Sequence, residues 1–291
     1  MLVKPKKVII PAAGLGTRLY PATKNQPKEM LPLPVYEDGK IIPKPALQII
    51  FEQFYNLGIR EFCFVIGASK EAVIRHFTPD DKKLKDLKDK ENIRKSLEKF
   101  YKKLYDSQIS YVVQPKPLGF GDAVLQVKNF VGDEDFWLIA GDTIIIGNSQ
   151  NRYSHFEELE KIYKKYKPTI TLSIERVENP VNYGVVEGEI VEKNVIKIKR
   201  AIEKPKKPPS NYAITALYIF SPEIFSALEE VKRRKRELEL TYGIDALAKK
   251  EKVYGVFMKG DERRYDIGTS ESYFETVKEL YELAKKKILI I

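Results

Sequence analysis

Short apolar runs alternate with longer stretches of helical periodicity through the first half of the chain. Residues 8–10, 62–66, 109–113 and 136–139 form such runs. Between the first two, the segment that begins at Pro45 repeats apolar residues every three or four positions, which predicts an amphipathic helix. Because strands that alternate with helices build βαβ units, this pattern predicts an α/β fold with a mainly parallel, mixed central sheet flanked by helices.

The rest of the chain is consistent with one domain. We expect a single domain over residues 1–291, since α/β folds of this length are often undivided. Residues 80–106 are dense in Lys, Asp and Glu and predict a solvated helical insertion, and residues 270–291 predict a C-terminal helix. Residues 35–44 predict a hairpin. Residues 169–199 alternate β-branched side chains with glycines, which predicts a small β-rich part beside the main sheet.

Charge restricts the class of partner. The chain has 51 Lys and Arg against 41 Asp and Glu, a net charge of +10, which favours phosphorylated small molecules, nucleic acid or an acidic membrane surface. The basic run at residues 232–236 lies beside Glu229, Glu230 and Glu237. We interpret this run as a solvated helix face rather than a nucleic-acid site.

Cysteine content and hydropathy indicate the cellular compartment in which the protein is expected. A single cysteine, Cys63, excludes an intramolecular disulfide and suits a reducing environment. The apolar stretch after the basic N-terminus is broken at Pro11, too early for the core of a signal peptide. No run approaches the roughly 20 apolar residues of a spanning helix. We therefore expect a cytoplasmic protein that binds neither a membrane nor nucleic acid.

The first strand runs into a turn of small residues that contains Gly14 and Gly16. Absent side chains let backbone N–H groups approach an anion, so phosphate is the expected guest. A dinucleotide-binding fingerprint would need glycine where Leu19 stands, and no Gly-Lys-Ser/Thr follows for a P-loop. Arg18 and Lys28 add two cations, which suit a triphosphate that loses pyrophosphate.

Residues 10–31 closely resemble the opening of the sugar-nucleotide pyrophosphorylases, and residues 27–31 look most like the bacterial and archaeal branch that transfers uridylyl from UTP to glucose 1-phosphate. The resemblance implies a single Rossmann-like nucleotidyltransferase domain. It also implies catalytic roles for Arg18 and Lys28. The nucleotide-binding residues that it implies in this loop are Ala12, Ala13, Gly14 and Gly16.

A second loop follows the strand at residues 109–113. Gln114 carries an amide that both donates and accepts, which matches the edge of a pyrimidine base. The resemblance assigns Gln114 and Gly119 to uracil. Because thymine presents the same edge, a thymidylyltransferase that uses dTTP, or another sugar-1-phosphate nucleotidyltransferase, stays open.

Two carboxylates are candidate ligands for Mg²⁺. Asp142 comes just after a buried strand, at the edge where open α/β sheets bind ligands. Asp266 precedes a turn much later in the chain, and one or two carboxylates plus substrate phosphates are a usual magnesium site. The resemblance assigns both residues to the metal. It assigns Gly184, Glu203 and Lys204 to the sugar phosphate.

The chain departs from the family at three positions near these motifs. Thr143 stands where members commonly have aspartate, Glu239 where they have glutamine, and Tyr242 where they have aspartate. Thr143 and Tyr242 leave open a sugar-nucleotide-binding regulatory protein that has lost transfer. The presence of Arg18, Lys28 and both metal candidates argues against that alternative.

Two further expectations concern histidine and assembly. His76 and His155 lie outside every motif and are interpreted as structural, in keeping with a transfer that needs no imidazole. The apolar stripe and tail of the last helix predict packing on a neighbouring subunit, and hence a homo-oligomer, a dimer or tetramer.

Overall fold

A computed structural model of the chain describes residues 4–67, 71–87, 90–232, 237–288 and 291. Its strands are β1 (Lys7–Ala12), β2 (Pro32–Glu37), β3 (Lys40–Pro45), β4 (Glu61–Gly67), β5 (Gln108–Gln114), β6 (Phe136–Ile139), β7 (Thr143–Ile146), β8 (Ile170–Arg176), β9 (Gly184–Glu192), β10 (Val195–Glu203), β11 (Tyr212–Phe220), β12 (Val253–Phe257) and β13 (Arg263–Asp266). Its helices are α1 (Ala46–Asn56), α2 (Glu71–His76), α3 (Asp81–Asp86), α4 (Glu91–Tyr105), α5 (Phe120–Leu125), α6 (Lys128–Val131), α7 (Ser154–Tyr166), α8 (Glu223–Lys232), α9 (Leu240–Ala248) and α10 (Ser270–Lys285).

The main sheet is mixed. Within the described residues its strand order is β5-β4-β1-β6-β11-β8-β12-β10-β9. The first four strands are parallel, and β11 pairs antiparallel with both β6 and β8. The predicted α/β fold with a mixed central sheet that contains parallel strands and is flanked by helices is confirmed, and antiparallel pairings are as frequent in it as parallel ones along the strand order.

The sheet separates two apolar cores. Along β1, Val8 and Ile10 face one core and Ile9 faces the other, because successive side chains of a strand point to opposite faces. The first core receives the apolar sides of α1, α4 and α7, including Phe54 and Phe156. The second receives α5, α8 and α9. Both faces of the parallel half are therefore covered, as parallel sheets require.

The predicted hairpin and the helix after it are present. Strands β2 and β3 pair from Glu37–Lys40 to Pro32–Pro45, and α1 begins at Ala46 with Pro45 before it. Helix α1 is buried along most of its length and carries Glu52, whose side chain contacts the ammonium groups of Lys44 and Lys103. This buried cluster joins α1, β3 and α4.

Two segments are more integrated than the sequence predicted. Helix α4 lies in the connection between the parallel strands β4 and β5, and it buries Phe100, Tyr101 and Leu104 in the first core. Only its other side is solvated. The β9–β10 hairpin extends the main sheet through the β10–β12 pairing rather than forming a sheet beside it.

Both histidines have protein partners, and His155 is buried while His76 is half-buried. His155 is fully buried, with Nε2 2.6 Å from Oγ of Ser173 and Nδ1 2.9 Å from Oε2 of Glu262. Nε2 of His76 lies 2.9 Å from Oε1 of Gln48. Burial lowers the pKa of His76 to about 4. In the part of the chain that the structure describes, no helix is long and apolar enough to span a membrane.

Candidate active site

The loop after β1 contacts Lys28. Gly16 has φ of 65°, which favours glycine, and a Cβ there would also crowd Thr23, whose Cβ would lie 3.3 Å away. Gly14 is exposed, and a Cβ on it would lie 3.9 Å from Cε of Lys28. Ala13 lines the same cavity as Gly14, whereas Ala12 is a buried residue of β1 at 1% exposure.

Lys28 and Asp142 form an ion pair across the end of the parallel strands. Burial acts to lower the pKa of Lys28, but Asp142, Glu29 and Asp266 outweigh it and raise that pKa above its ordinary value. Burial likewise acts to raise the pKa of Asp142, and the charge of Lys28 lowers it overall. Both groups are therefore held in their charged forms.

Strand pairing brings Asp266 beside Asp142. Strand β13 pairs with β7 so that Asp266 lies opposite Thr143, and the backbone N–H of Ile267 donates to the carbonyl of Asp142 at 3.2 Å. Oδ1 of Asp266 accepts a 2.9 Å hydrogen bond from the N–H of Gly268. Residues 124 positions apart in the chain thus lie side by side, Asp266 as the last residue of β13 and Asp142 just before the first residue of β7.

Carboxylate oxygens of this kind fit a hard divalent cation, which prefers oxygen ligands. Within the described residues no group of three His, Cys, Asp or Glu side chains forms a metal site. Asp142 and Asp266 are thus a two-carboxylate set, and substrate phosphates would have to complete the coordination. That is a usual arrangement for Mg²⁺.

Gln114 and Gly119 lie together on the other side of the glycine loop. Gln114 is 5% exposed, and its Nε2 donates to the carbonyl of Gly119 at 3.2 Å. Gly119 has φ of 107°, and a Cβ there would lie 2.4 Å from the carbonyl oxygen of Leu238. The loop therefore needs glycine at this point.

Gly184, Glu203 and Lys204 form a third group. Gly184 pairs with Glu203 between β9 and β10, and the N–H of Lys204 donates to the carbonyl of Tyr183 at 3.0 Å. Oε2 of Glu203 accepts a 2.7 Å hydrogen bond from Thr241. A Cβ on Gly184 would lie 2.7 Å from that threonine hydroxyl, so only glycine leaves room beside Glu203.

Three adjoining cavities connect these groups. The central cavity, about 410 Å³, is lined by Gly14, Lys28, Gln114 and Asp142, among others. Gly14 and Gln114 also line a loop cavity of about 480 Å³, which extends along residues 20–27. Arg18 lines the central cavity and a strand-end cavity of about 740 Å³ that contains Lys204 and Asp266. Because the cavities share lining residues, they form one cleft, which is lined by Ala13, Gly14, Arg18, Lys28, Gln114, Gly119, Asp142, Lys204 and Asp266. The other predicted residues, Ala12, Gly16, Gly184 and Glu203, do not line these cavities.

The three residues that depart from the family pattern, Thr143, Glu239 and Tyr242, lie in different environments. Glu239 lines the central cavity, and burial together with nearby Glu203 raises its pKa. Thr143 is buried in β7, and Tyr242 lines a separate cavity beside Asp245. Only Glu239 therefore changes the chemistry of the cleft.

Sequence reasoning missed Arg264. It lines the strand-end cavity with Asp266, and its Nε donates to Oε2 of Glu175 at 2.8 Å. Burial acts to lower the pKa of Arg264, but Glu175 raises it overall. The available signal was period-two spacing, since residues 264 and 266 share one face of a strand.

Comparison with known proteins gives the class. The nucleotidyl transferase family matches residues 7–282, so the chain belongs to this family.

Individual relatives match this chain along nearly its full length. UTP–glucose-1-phosphate uridylyltransferase of Bacillus subtilis is 36% identical over 281 residues, which cover 95% of this chain and 91% of the relative. UTP–glucose-1-phosphate uridylyltransferase 2 of Streptococcus pyogenes serotype M1 is 35% identical, covering 94% and 90%. A crystal structure of apo UDP-glucose pyrophosphorylase has a TM-score of 0.84 at 31% identity and covers 96% of this chain and 99% of its own. A UDP-glucose complex has a TM-score of 0.80 at 32% identity with the same coverage. The resemblance inferred from residues 10–31 is confirmed.

Proposed function

We propose that this chain transfers a uridylyl group from UTP to glucose 1-phosphate, giving UDP-glucose and pyrophosphate. The observation that carries the proposal is the convergence of Gly14, Lys28, Asp142 and Asp266 on one cleft. The relatives that share its length and fold are uridylyltransferases of this kind.

The reaction is an in-line displacement at phosphorus. An oxygen of the sugar phosphate attacks the α-phosphorus of UTP, the bond to the β-phosphate oxygen breaks, and pyrophosphate leaves with the bonding electrons. The nucleophile is already ionised near neutral pH, because the second pKa of a phosphate monoester is about 6. No general base is needed, and both histidines are engaged outside the cleft.

Positioning and charge neutralisation supply the rate. We assign Arg18 and Lys28 to the charge that develops on the leaving pyrophosphate, and the backbone of the Gly14 loop to the triphosphate. Lys204 aligns the attacking phosphate. Its side chain is exposed, with Nζ 3.2 Å from Oε1 of Glu203, and so is accessible to an incoming anion. Glu203, with Gly184 beside it, accepts hydrogen bonds from sugar hydroxyls.

The metal is a further proposal. Asp142 and Asp266 would hold Mg²⁺, which when bound supplies positive charge against the substrate phosphates. Removal of divalent ions with EDTA is expected to abolish pyrophosphate release, and added Mg²⁺ to restore it. Full activity in EDTA would contradict this assignment.

Two features argue against a regulatory protein without activity. Thr143 is buried in a strand and Tyr242 lines another cavity, so neither departure removes a group from the cleft. The four cleft residues named above are all present. A cytoplasmic location and an oligomeric state stay predictions from the sequence.

The test is a matrix of nucleoside triphosphates against sugar 1-phosphates with Mg²⁺, read by pyrophosphate release. We expect the highest kcat/KM for UTP with glucose 1-phosphate. A higher value for dTTP would identify a thymidylyltransferase instead. Absence of pyrophosphate with every pair, in folded protein that still binds UDP-glucose, would favour the regulatory alternative.

A further inference from the structure

The amide of Gln114 is held in one orientation. Its Nε2 donates to Oδ2 of Asp122 at 2.9 Å and to the carbonyl of Gly119 at 3.2 Å. A carboxylate and a carbonyl oxygen only accept hydrogen bonds, so the NH₂ group has to face them. Asp122 is 2% exposed, which keeps this contact away from water.

Asp122 is itself fixed from the end of α8. Nζ of Lys232 donates to Oδ1 of Asp122 at 2.7 Å, while Oδ2 is left to Gln114 and, at 3.4 Å, Nε2 of Gln126. An ammonium ion has donors only, so it requires an acceptor at Oδ1. The order Lys232, Asp122, Gln114 therefore determines which end of the glutamine amide is turned toward the protein.

The opposite end of the amide, Oε1, is left to accept a hydrogen bond from a bound base. Among the residues that the structure describes, Oε1 of Gln114 accepts no hydrogen bond, and Gln114 lines both the central and the loop cavity. An acceptor at this point complements the N3–H of uracil and opposes the N3 lone pair of cytosine. We infer that Asp122 is a positioning residue that selects uracil over cytosine by holding Oε1 of Gln114 toward the base. This inference rests on the proposed use of UTP, and thymine would be accepted equally.

The decisive variant is Asp122→Asn. Lys232 retains the side-chain oxygen of the new asparagine, so its NH₂ group faces Nε2 of Gln114 and disfavours the native orientation. We expect the ratio of kcat/KM for UTP to that for CTP to fall at least about tenfold. If Asp122 served folding alone, the substitution would lower kcat/KM for UTP and for CTP by the same factor and leave their ratio unaltered.

A second change restores the orientation. In the double variant Asp122→Asn with Lys232→Met, no ammonium group donates to the side-chain oxygen of the asparagine. The asparagine amide can then turn so that this oxygen accepts a hydrogen bond from Nε2 of Gln114. The ratio should recover toward the wild-type value. Glu229→Gln is the matched control, because Glu229 lies on α8 like Lys232 and its loss removes only an ion pair with Lys128 of α6, without touching Gln114.

The outcomes separate the two proposals. Wild-type protein that does not use UTP refutes the proposed function itself. Wild-type protein that prefers UTP, together with an unchanged ratio in Asp122→Asn, refutes only the positioning role. If that variant does not fold, Asp122→Ala removes the acceptor without adding a donor. Its ratio should also fall, and an unchanged ratio there overturns the inference equally.

Discussion

Asp142 lies where the parallel strands end, paired with Lys28 and beside Asp266. Asp142→Asn keeps the shape and one acceptor oxygen but removes the charge. We expect turnover to fall about 100-fold or more, with a change in the free energy of unfolding of only about 1 kcal/mol. Pyrophosphate release and urea unfolding measure the two effects. Asp133→Asn, an exposed carboxylate before β6, is the control. Near-normal turnover in Asp142→Asn would remove this residue from the catalytic group.

Gly184 is a second test at single-residue resolution. A methyl group there would meet the hydroxyl of Thr241 at 2.7 Å and Oε2 of Glu203 at 3.3 Å. We expect Gly184→Ala to raise KM for the sugar phosphate about tenfold or more while KM for UTP changes little. Gly260→Ala is matched to it, since a Cβ there meets nothing within 4 Å. Equal increases in both KM values would indicate a general distortion of the cleft.

Between elements, the cluster around Glu52 joins α1, β3 and α4. Burial acts to raise the pKa of Glu52, but Lys44 and Lys103 lower it overall, so it is a buried carboxylate with two cations. Glu52→Ala removes the buried carboxylate that Lys44 and Lys103 share and leaves Lys44 paired with Glu37 alone, so we expect a loss of about 3 kcal/mol in urea unfolding. Glu71→Ala breaks an exposed pair with Arg75 and should cost less than about 1 kcal/mol. Similar losses in both variants would contradict the buried cluster.

The junction of α7 with the loop before β13 predicts a pH dependence. Burial acts to raise the pKa of Glu262, but its hydrogen bonds from His155, Lys259 and Ser154 lower it from 4.5 to about 2. The pKa of Glu262 is lower in the folded than in the unfolded protein, so its stabilising contribution is fully present above about pH 4.5 and is lost as the pH falls toward 2. Glu262→Gln should therefore show a shallower loss of stability than wild type between about pH 5 and pH 3. Parallel profiles in chemical denaturation would refute the assignment.

For the whole molecule, α10 presents an exposed aromatic row. Phe274 and Tyr281 are seven residues apart, on one helix face, with 68% and 47% of their surfaces exposed. If this row packs on a second copy, as the sequence predicts, Phe274→Glu should reduce the molecular mass measured by sedimentation velocity to half of the wild-type value or less. Tyr105→Glu changes an equally exposed aromatic residue on α4 and should leave the mass unaltered. A monomeric wild type would show that the prediction of an oligomer is wrong.

The cleft could be predicted from sequence wherever a short motif carries its own geometry. A strand that runs into Gly14 and Gly16 specifies a backbone cradle, and Asp142 follows a buried strand whose end lies at the ligand-binding edge. Arg264 and Asp122 escaped prediction because no motif assigns a role to either, and the period-two spacing of Arg264 from Asp266 does not by itself indicate a role. Their placement depends on pairings with β7 and on contacts with α8, which join distant parts of the chain.

The sequence by itself determined the class of fold, the glycine loop and the family, because apolar periodicity and short motifs are local properties of the chain. Only the tertiary structure decided which departures matter and how Gln114 is oriented. Glu239, the residue before α9, faces the cleft, while Tyr242 in the first turn of that helix lines another cavity. The reason is physical: the direction of a side chain, and its hydrogen-bond partners, depend on which distant elements pack against it.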